Sequence, residues 1–178
     1  QMTTNRLPTD YQNFIALSRY ARWLPEKNRT ETWEETISRY FDFMEKHLKE
    51  NTKYNLTKPI RDELTKEIAE LKIMPSMRAL MTAGPALEKN HIAGYNCAYL
   101  SVDHPKAFDE CLYILMHGTG VGFSVERQHI SKLPEIPECI VDIEDTIVIT
   151  DSKEGWQSAF RRLISYLYNG EAPVWDMT

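Results

Sequence analysis

A cysteine, an acidic residue and a glycine-rich segment lie near one another in the middle of this sequence. Cys97 stands in GYNCAYLSV, just inside an apolar run that alternates as a strand does; Asp103 follows, and HGTGVGFS occupies residues 117–124. A thiol at the end of a strand could form and exchange a disulfide. A free cysteine is also among the most frequently buried side chains. Taken alone, Cys97 fits either a packing residue or a redox thiol.

The glycines of HGTGVGFS permit unusual backbone dihedrals and close approach of a ligand. The segment lacks the GK[ST] ending of a P-loop, and its glycines precede a strand pattern instead of opening a helix, as a dinucleotide fingerprint would. Both a tight helix-to-strand turn and a ligand cradle fit it. Asp103 likewise fits either a ribose-binding carboxylate or a helix cap.

Other residues of chemically versatile types show no recognisable arrangement. His104, His117 and His129 lack metal-ligand spacing, so we predict no metal site. Cys111 falls in an apolar helical pattern and Cys139 at the start of a strand pattern, and both are predicted to pack. The cysteines form no CxxC pair, zinc pattern or disulfide framework, which is typical of a protein in the reducing cytoplasm.

The composition is that of an ordinary soluble globular protein, with 42% hydrophobic and 26% charged residues. A net charge of −5 argues against broad attraction to nucleic acid or to anionic membranes. No apolar run approaches the roughly 20 residues that a membrane span requires. We therefore expect a cytoplasmic protein that binds neither nucleic acid directly nor membranes.

Residues 1–72 are predicted to form a helical region. An apolar and aromatic pattern over 13–23 indicates a first helix that ends before a proline. Thr32 and Glu35 have capping-box spacing and precede an apolar stripe, which predicts a second helix. A third helix should begin at Thr57, with a proline in its first turn.

Residues 73–178 combine strand and helix patterns. The expected elements are a strand at 98–102, a helix at 105–117, a strand at GFSVE, a hairpin or strand pair over Cys139–Ile149, a helix capped by Asp151 or Ser152, and a strand opening at PVWDMT. Arg161 and Arg162 are expected on the solvated face of that last helix. This alternation of strands and helices is typical of an α/β layer or barrel. A sheet of so few strands would leave apolar surface uncovered. We therefore expect further polypeptide to complete the fold.

Several segments in this order resemble one enzyme family. They are YARWLPEKNRTETWEET, MPSMRALMTAG, YNCAYLSV, HGTGVGFSVERQHISKLP and DSKEGWQSAFRRLI. Together they resemble adenosylcobalamin-dependent (class II) ribonucleotide reductases of the monomeric ribonucleoside-triphosphate reductase type, over nearly the whole chain. The resemblance implies an α/β fold with an N-terminal helical region, residues 1–72. Residues 73–178 would then be the first strands and helices of a ten-stranded α/β barrel that is incomplete in this chain.

The resemblance gives Cys97 a catalytic role. It matches one of two thiols that become a disulfide as the ribose 2′-hydroxyl leaves as water. Asn96 matches a position lining the substrate ribose, and Thr119 and Gly120 match the glycine-turn residues that approach the substrate base.

Further matches concern phosphate and effector binding. Met74 and Ser76 match a segment that cradles the substrate phosphates, although many relatives have threonine where Met74 stands. Asp103 matches an acidic residue that binds the deoxynucleotide specificity effector in dimeric relatives. The region between ISKLPEIP and DSKEGW is shorter than expected of the monomeric enzyme. This is a departure from the family pattern, and it falls in the region that determines effector binding and oligomeric state.

The resemblance also implies partners outside this chain. The radical-bearing cysteine, the second redox thiol and most of the adenosylcobalamin site match no segment here, so the chain alone should be inactive. The expected partners are the C-terminal remainder of the reductase (in the same polypeptide or a separate chain), a ribonucleoside di- or triphosphate, a deoxynucleotide effector and a thioredoxin-like reductant. Two alternatives are a non-catalytic deoxynucleotide-binding or interaction module that keeps the reductase fold, and the N-terminal part of a dimetal-dependent (class I) reductase.

Overall fold

The computed structural model describes residues 7–177, which form two compact units. The first unit ends at Tyr95 and the second begins at Asn96. The sequence-based division at 72–73 separates regions by element type and stays a prediction. Within the described range, no helix is both long enough and apolar enough to cross a membrane.

The first unit is mainly helical. In chain order its elements are α1 (Asp10–Ile15), a π-helical turn (Ala16–Tyr20), β1 (Trp23–Leu24), a 3-10 turn (Pro25–Lys27), β2 (Arg29–Thr30), α2 (Trp33–Thr52), α3 (Lys58–Ala69), α4 (Met77–Thr82), α5 (Pro85–Lys89) and a second 3-10 turn (His91–Gly94). Its main core is built on the apolar stripe of α2. Trp33, Ile37 and Phe41 of α2 pack there with Ile68 of α3 and Leu80 of α4.

The predicted capping box at the start of α2 is confirmed. The Glu35 amide donates to the Thr32 hydroxyl at 3.2 Å, and the Thr32 amide donates to the Glu35 carboxylate at 2.8 Å. Each bond satisfies a backbone donor that the first helical turn leaves without a partner. The third predicted helix also begins as expected, since Thr57 is the N-cap of α3.

The predicted helix over 13–23 is wrong at both ends. A capping box between Thr9 and Gln12 starts α1 earlier, at Asp10. The helical backbone ends at Tyr20, and Trp23 instead pairs with Thr30 in the short antiparallel ladder of β1 and β2. The pairing of these two short strands overrides the helical periodicity of the sequence.

The second unit alternates strands and helices. Its elements are β3 (Cys97–Ser101), α6 (Lys106–Met116), β4 (Gly120–Ser124), α7 (Arg127–Ile130), β5 (Val141–Val148), α8 (Lys153–Tyr168) and β6 (Glu171–Asp176). β3 pairs with β4 and β5 pairs with β6, in both cases parallel. The connection between the first pair contains α6, and that between the second contains α8, as parallel pairing requires. The mixed helix-and-strand prediction is therefore confirmed.

The predicted hairpin over Cys139–Ile149 is wrong. The segment forms one strand, β5, which pairs with β6 from beyond α8. The ladder is irregular between Asp142 and Thr146. This acidic stretch contains no glycine, proline or asparagine that would favour a two-residue hairpin turn, so β5 continues through it.

Two residues of the sequence have clear structural roles at the start of α8. Ser152 is the N-cap, as predicted, and its hydroxyl accepts from the Gly155 amide at 2.9 Å. A side chain at Gly155 would collide with the Thr150 backbone carbonyl. The glycine therefore permits the chain to turn tightly from β5 into α8.

Candidate active site at the thiol strand

Cys97 is the first residue of β3, and its side chain is exposed. Its partner across the parallel ladder is Gly120, and two residues further along Tyr99 pairs with Gly122. All four residues are exposed and share one face of the strand pair, because side chains two apart point the same way. Within this chain Cys97 is therefore not a packing residue.

Two glycines leave open space on the face that carries Cys97. A Cβ added at Gly120 would lie 3.6 Å from the Asn96 carbonyl oxygen, and one at Gly122 would lie 3.9 Å from its nearest neighbours. The Gly120 amide donates to that same Asn96 oxygen at 2.9 Å. The pairing thus fixes Asn96, Cys97 and Gly120 side by side, with nothing larger than a hydrogen opposite the thiol.

The glycine segment is also a tight helix-to-strand turn. Gly118 has a φ of 81°, which glycine adopts without strain, and its amide donates to the Leu115 carbonyl at 2.8 Å. Thr119 is 1% exposed, whereas Gly120 is exposed. A ligand on the open face would therefore meet the Gly120 backbone before the Thr119 side chain.

Asp103 does not cap the following helix. The N-cap of α6 is Pro105, and the amide of the first helical residue, Lys106, donates to His104 Nδ1 at 3.1 Å and not to Asp103. The Asp103 carboxylate lies 3.7 Å from the Lys132 ammonium, and both groups are partly exposed. A half-exposed carboxylate just beyond a strand end remains compatible with binding hydroxyl groups of a ligand.

Met74 and Ser76 belong to the first unit, whereas the other predicted site residues belong to the second. Both are exposed. Ser76 is the N-cap of α4, where its hydroxyl oxygen accepts from the Ala79 amide at 3.4 Å. The hydroxyl hydrogen of Ser76 can still be donated to another group.

A buried carboxylate joins α6 to α8, which sequence reasoning missed. Asp109 is fully buried, and its Oδ2 accepts from Arg161 Nη2 at 2.7 Å, Arg161 Nε at 3.0 Å and Gln157 Nε2 at 2.9 Å. Hydrogen bonding to Asp109 raises the pKa of the Arg161 guanidinium. Arg161 and Arg162 are both exposed, as expected of the solvated face of α8, and Arg161 in addition reaches the buried Asp109 carboxylate.

A sequence signal for this pair existed. Asp109 is spaced at helical intervals with Leu112 and Met116, so it lies on the apolar stripe of α6 and not on its polar face. A carboxylate in such a position needs a charged or hydrogen-bonding partner that reaches it.

The remaining cysteines and histidines do not join in a metal-binding group in the range 7–177. Cys111 is half-buried, and Cys139 is exposed, so the prediction that Cys139 is a packing residue is wrong. All three cysteines are free thiols. No group of three His, Cys, Asp or Glu side chains in this range could hold a metal ion.

Comparisons with known proteins agree on one family. Residues 2–85 match the family model described as the ribonucleotide reductase alpha domain. An adenosylcobalamin-dependent ribonucleoside-triphosphate reductase of Lactobacillus delbrueckii subsp. bulgaricus is 27% identical over 169 residues, covering 80% of this chain and 22% of that protein. One from Lacticaseibacillus paracasei is 32% identical over 165 residues, covering 73% of this chain and 21% of that protein.

A solved structure shares the fold. A B12-dependent (class II) ribonucleotide reductase matches with a TM-score of 0.73 at 22% identity, covering 92% of this chain and 32% of that one. The chain spans about a fifth of the length of the curated relatives. These findings confirm the resemblance: this chain is similar to the N-terminal portion of adenosylcobalamin-dependent ribonucleotide reductases.

Proposed function

We propose that this chain supplies the N-terminal part of a ribonucleotide reductase that converts ribonucleotides to deoxyribonucleotides, with Cys97 as one of its two redox thiols. One observation carries the proposal. Cys97 is exposed at the start of β3, directly opposite Gly120, on a face of the strand pair that glycines keep open. A substrate ribose could approach the thiol there without displacing a side chain.

The redox step needs two thiols. In it the Cys97 thiol and a second thiol each give up one hydrogen, the two sulfurs join in a disulfide, and the ribose 2′-hydroxyl leaves as water while its carbon gains a C–H bond. The second thiol comes from polypeptide outside this chain, with the two α-carbons about 4.4–6.8 Å apart. A thioredoxin-like dithiol then reopens the disulfide by thiol exchange.

The other site residues would bind the substrate and effector. Asn96 lies beside Cys97 and would contact the ribose, while the backbone at Thr119 and Gly120 would approach the base. Exposed Met74 and Ser76 would contact the substrate phosphates, either di- or triphosphate. The Ser76 hydroxyl accepts from the Ala79 amide, so it would contribute its hydrogen to a phosphate oxygen. Asp103 would bind the deoxynucleotide effector.

The remainder of the reductase would complete the site. In this proposal β3 and β4 begin a ten-stranded α/β barrel that further polypeptide closes, and the reaction proceeds through a thiyl radical on a cysteine of that polypeptide. Adenosylcobalamin would supply the radical chemistry. Most of its binding site would lie in the further polypeptide.

Reconstitution tests the proposal. The chain is joined to, or mixed with, the polypeptide that supplies the rest of the relatives' length, and deoxyribonucleotide formation is followed with a dithiol reductant and adenosylcobalamin. We expect turnover that requires both parts and the cobalamin. Deoxynucleotide binding without any turnover would overturn the proposal in favour of a non-catalytic module. Turnover that needs a dimetal subunit instead of cobalamin would assign the chain to the class I type.

A further inference from the structure

Arg39 occupies the centre of a polar cluster inside the first unit. Its Nε donates to Glu31 Oε1 at 2.8 Å, and its Nη2 donates to Glu31 Oε2 at 3.1 Å and to the Tyr20 carbonyl at 3.0 Å. Its Nη1 donates to the Leu80 carbonyl at 3.0 Å and to the Ala83 carbonyl at 2.8 Å. A planar guanidinium can reach these acceptors on different elements at the same time.

The cluster is well buried and satisfied. The side chain of Glu31 is 5% exposed and that of Arg39 is 16% exposed. Glu31 Oε2 also accepts from the Thr36 hydroxyl at 3.0 Å and from the Arg22 amide at 3.1 Å. Buried ion pairs of this kind fix geometry more than they add stability, because desolvation offsets much of their attraction.

Two arginines hold the C-terminal end of α4. Leu80 lies in the last turn of α4 and Ala83 is its C-cap, so Arg39 binds carbonyls that the helix itself leaves without partners. Arg22 adds a hydrogen bond from Nη2 to the Met81 carbonyl at 2.6 Å. The positive charges also complement the negative end of the helix.

The opposite end of the same helix carries the phosphate-binding segment of the proposed function. α4 has six residues, so it spans about 9 Å. It begins directly after Ser76, and the side chains of Ser76 and Met74 are exposed. Because a short helix moves as one body, the contacts of Arg39 at one end help to fix where Ser76 lies at the other.

We propose that Arg39, oriented by Glu31, is a positioning residue that sets the substrate-phosphate segment 74–76 through α4. This inference rests on the proposed function. Packing of the Leu80 side chain, which is fully buried, anchors α4 in the core, and the guanidinium fixes the backbone at the end of the helix.

The test compares Arg39→Lys with Arg61→Lys in the complete reductase. Lysine keeps the positive charge beside Glu31 but lacks the fork that reaches Leu80, Ala83 and Tyr20 together. Arg61 is a matched control because it binds Asp42 and Glu45 at 2.6 Å, is 24% exposed, and has no hydrogen bond or ion pair with α4. Circular dichroism and thermal unfolding test whether each variant is folded.

We expect Arg39→Lys to raise the KM for the ribonucleotide about tenfold, the factor for losing roughly one charge-assisted hydrogen bond, with kcat within about twofold. The inhibition constant of inorganic tripolyphosphate should rise in parallel, whereas that of an unphosphorylated ribonucleoside should not change. Arg61→Lys should leave all these constants unchanged. Lower stability of Arg39→Lys with an unchanged KM, or equal effects of the two variants, would show a purely structural role.

A second variant tests the inference if Arg39→Lys does not fold. Glu31→Gln keeps the shape of the cluster and the Thr36 contact, and removes the charge that orients Arg39. It should raise the KM and the tripolyphosphate inhibition constant in the same direction, and unchanged constants would overturn the inference. A wild-type reductase that forms no deoxyribonucleotide would instead overturn the proposed function, and the two failures are therefore distinguishable.

Discussion

Arg161 of α8 binds Asp109 of α6 through two nitrogens, at 2.7 and 3.0 Å from the same carboxylate oxygen. Asp109 is fully buried, and Gln157 supplies its third hydrogen bond. The contact ties together the connecting helices of the two parallel strand pairs. Asp109 Oδ1 has no hydrogen-bond partner within the described range, which makes the carboxylate dependent on the partners of Oδ2.

Replacing Asp109 with alanine should destabilise the second unit by about 3 kcal/mol, because the change removes a buried charge-paired acceptor. The free energy of unfolding in urea measures this. Arg162→Ala is the control, since Arg162 is an exposed neighbour of Arg161. That variant should change stability by less than about 0.5 kcal/mol. Equal stability of the two variants would contradict a structural role for Asp109.

Gly155→Ala should destabilise the chain by about 1–3 kcal/mol, because the added methyl would overlap the Thr150 carbonyl and force the turn before α8 to shift. Thermal unfolding measures the loss. Ser158→Ala, at an exposed position of the same helix, serves as the control and should have little effect. A Gly155→Ala chain as stable as that control would show that the turn adapts freely.

Glu35 should make stability depend on pH. Hydrogen bonds from Arg29, and then from Lys27, hold its pKa well below the ordinary value of 4.5. A lowered pKa in the folded state stabilises the fold fully above pH 4.5, and this contribution is lost as the pH falls below that value. Glu35→Gln can keep the capping hydrogen bond to Thr32 while removing the charge.

Wild type should therefore exceed Glu35→Gln in stability at pH 7 by up to about 1 kcal/mol, since the pairs are partly exposed. Urea unfolding at several pH values measures the difference, which should shrink as the pH falls below 4.5. A difference that stays constant with pH, or grows on acidification, would assign the stabilisation to something other than charge.

Local signals predicted part of the fold. The capping box of Thr32 and Glu35, the Ser152 cap and the strand containing Cys97 depend on neighbouring residues, so the sequence reveals them directly. The pairing of Trp23 with Thr30 requires the chain to reverse direction, and the helical periodicity of this segment does not indicate that reversal. The predicted hairpin over β5 failed for the same reason, because its partner strand lies beyond α8.

The candidate site was predicted less from patterns than from family resemblance. The residue types alone left Cys97 open to two interpretations, and the ladder with Gly120 favours an accessible thiol. The role of Arg39 was not predicted, because its acceptors at Tyr20, Leu80 and Ala83 come together only in the folded unit. Every residue has a backbone carbonyl, so residue types do not indicate which carbonyls will accept these hydrogen bonds.

Gly120→Ala should weaken substrate binding without unfolding the chain. A Cβ at Gly120 meets the Asn96 carbonyl oxygen at 3.6 Å, which is an ordinary contact, and Gly120 has no positive φ. The methyl would nevertheless project beside Cys97 on the open face. In the complete reductase we expect the KM for the ribonucleotide to rise about fivefold, equivalent to roughly 1 kcal/mol.

Gly122→Ala is the matched control for Gly120→Ala. Gly122 lies on the same face but opposite Tyr99, two residues further from the thiol. It should raise the KM less than Gly120→Ala does. A larger effect at Gly122 would place the substrate further along the strands than the account requires.

The redox state of Cys97 after one turnover tests the central claim most directly. The complete reductase is given ribonucleotide and adenosylcobalamin without any reductant, free thiols are then alkylated, and peptides are identified by mass spectrometry. The account predicts that Cys97 resists alkylation and is found in a disulfide with a cysteine from outside this chain, whereas Cys139, also exposed, stays fully alkylated. Deoxyribonucleotide formed while Cys97 remains a free thiol would contradict it.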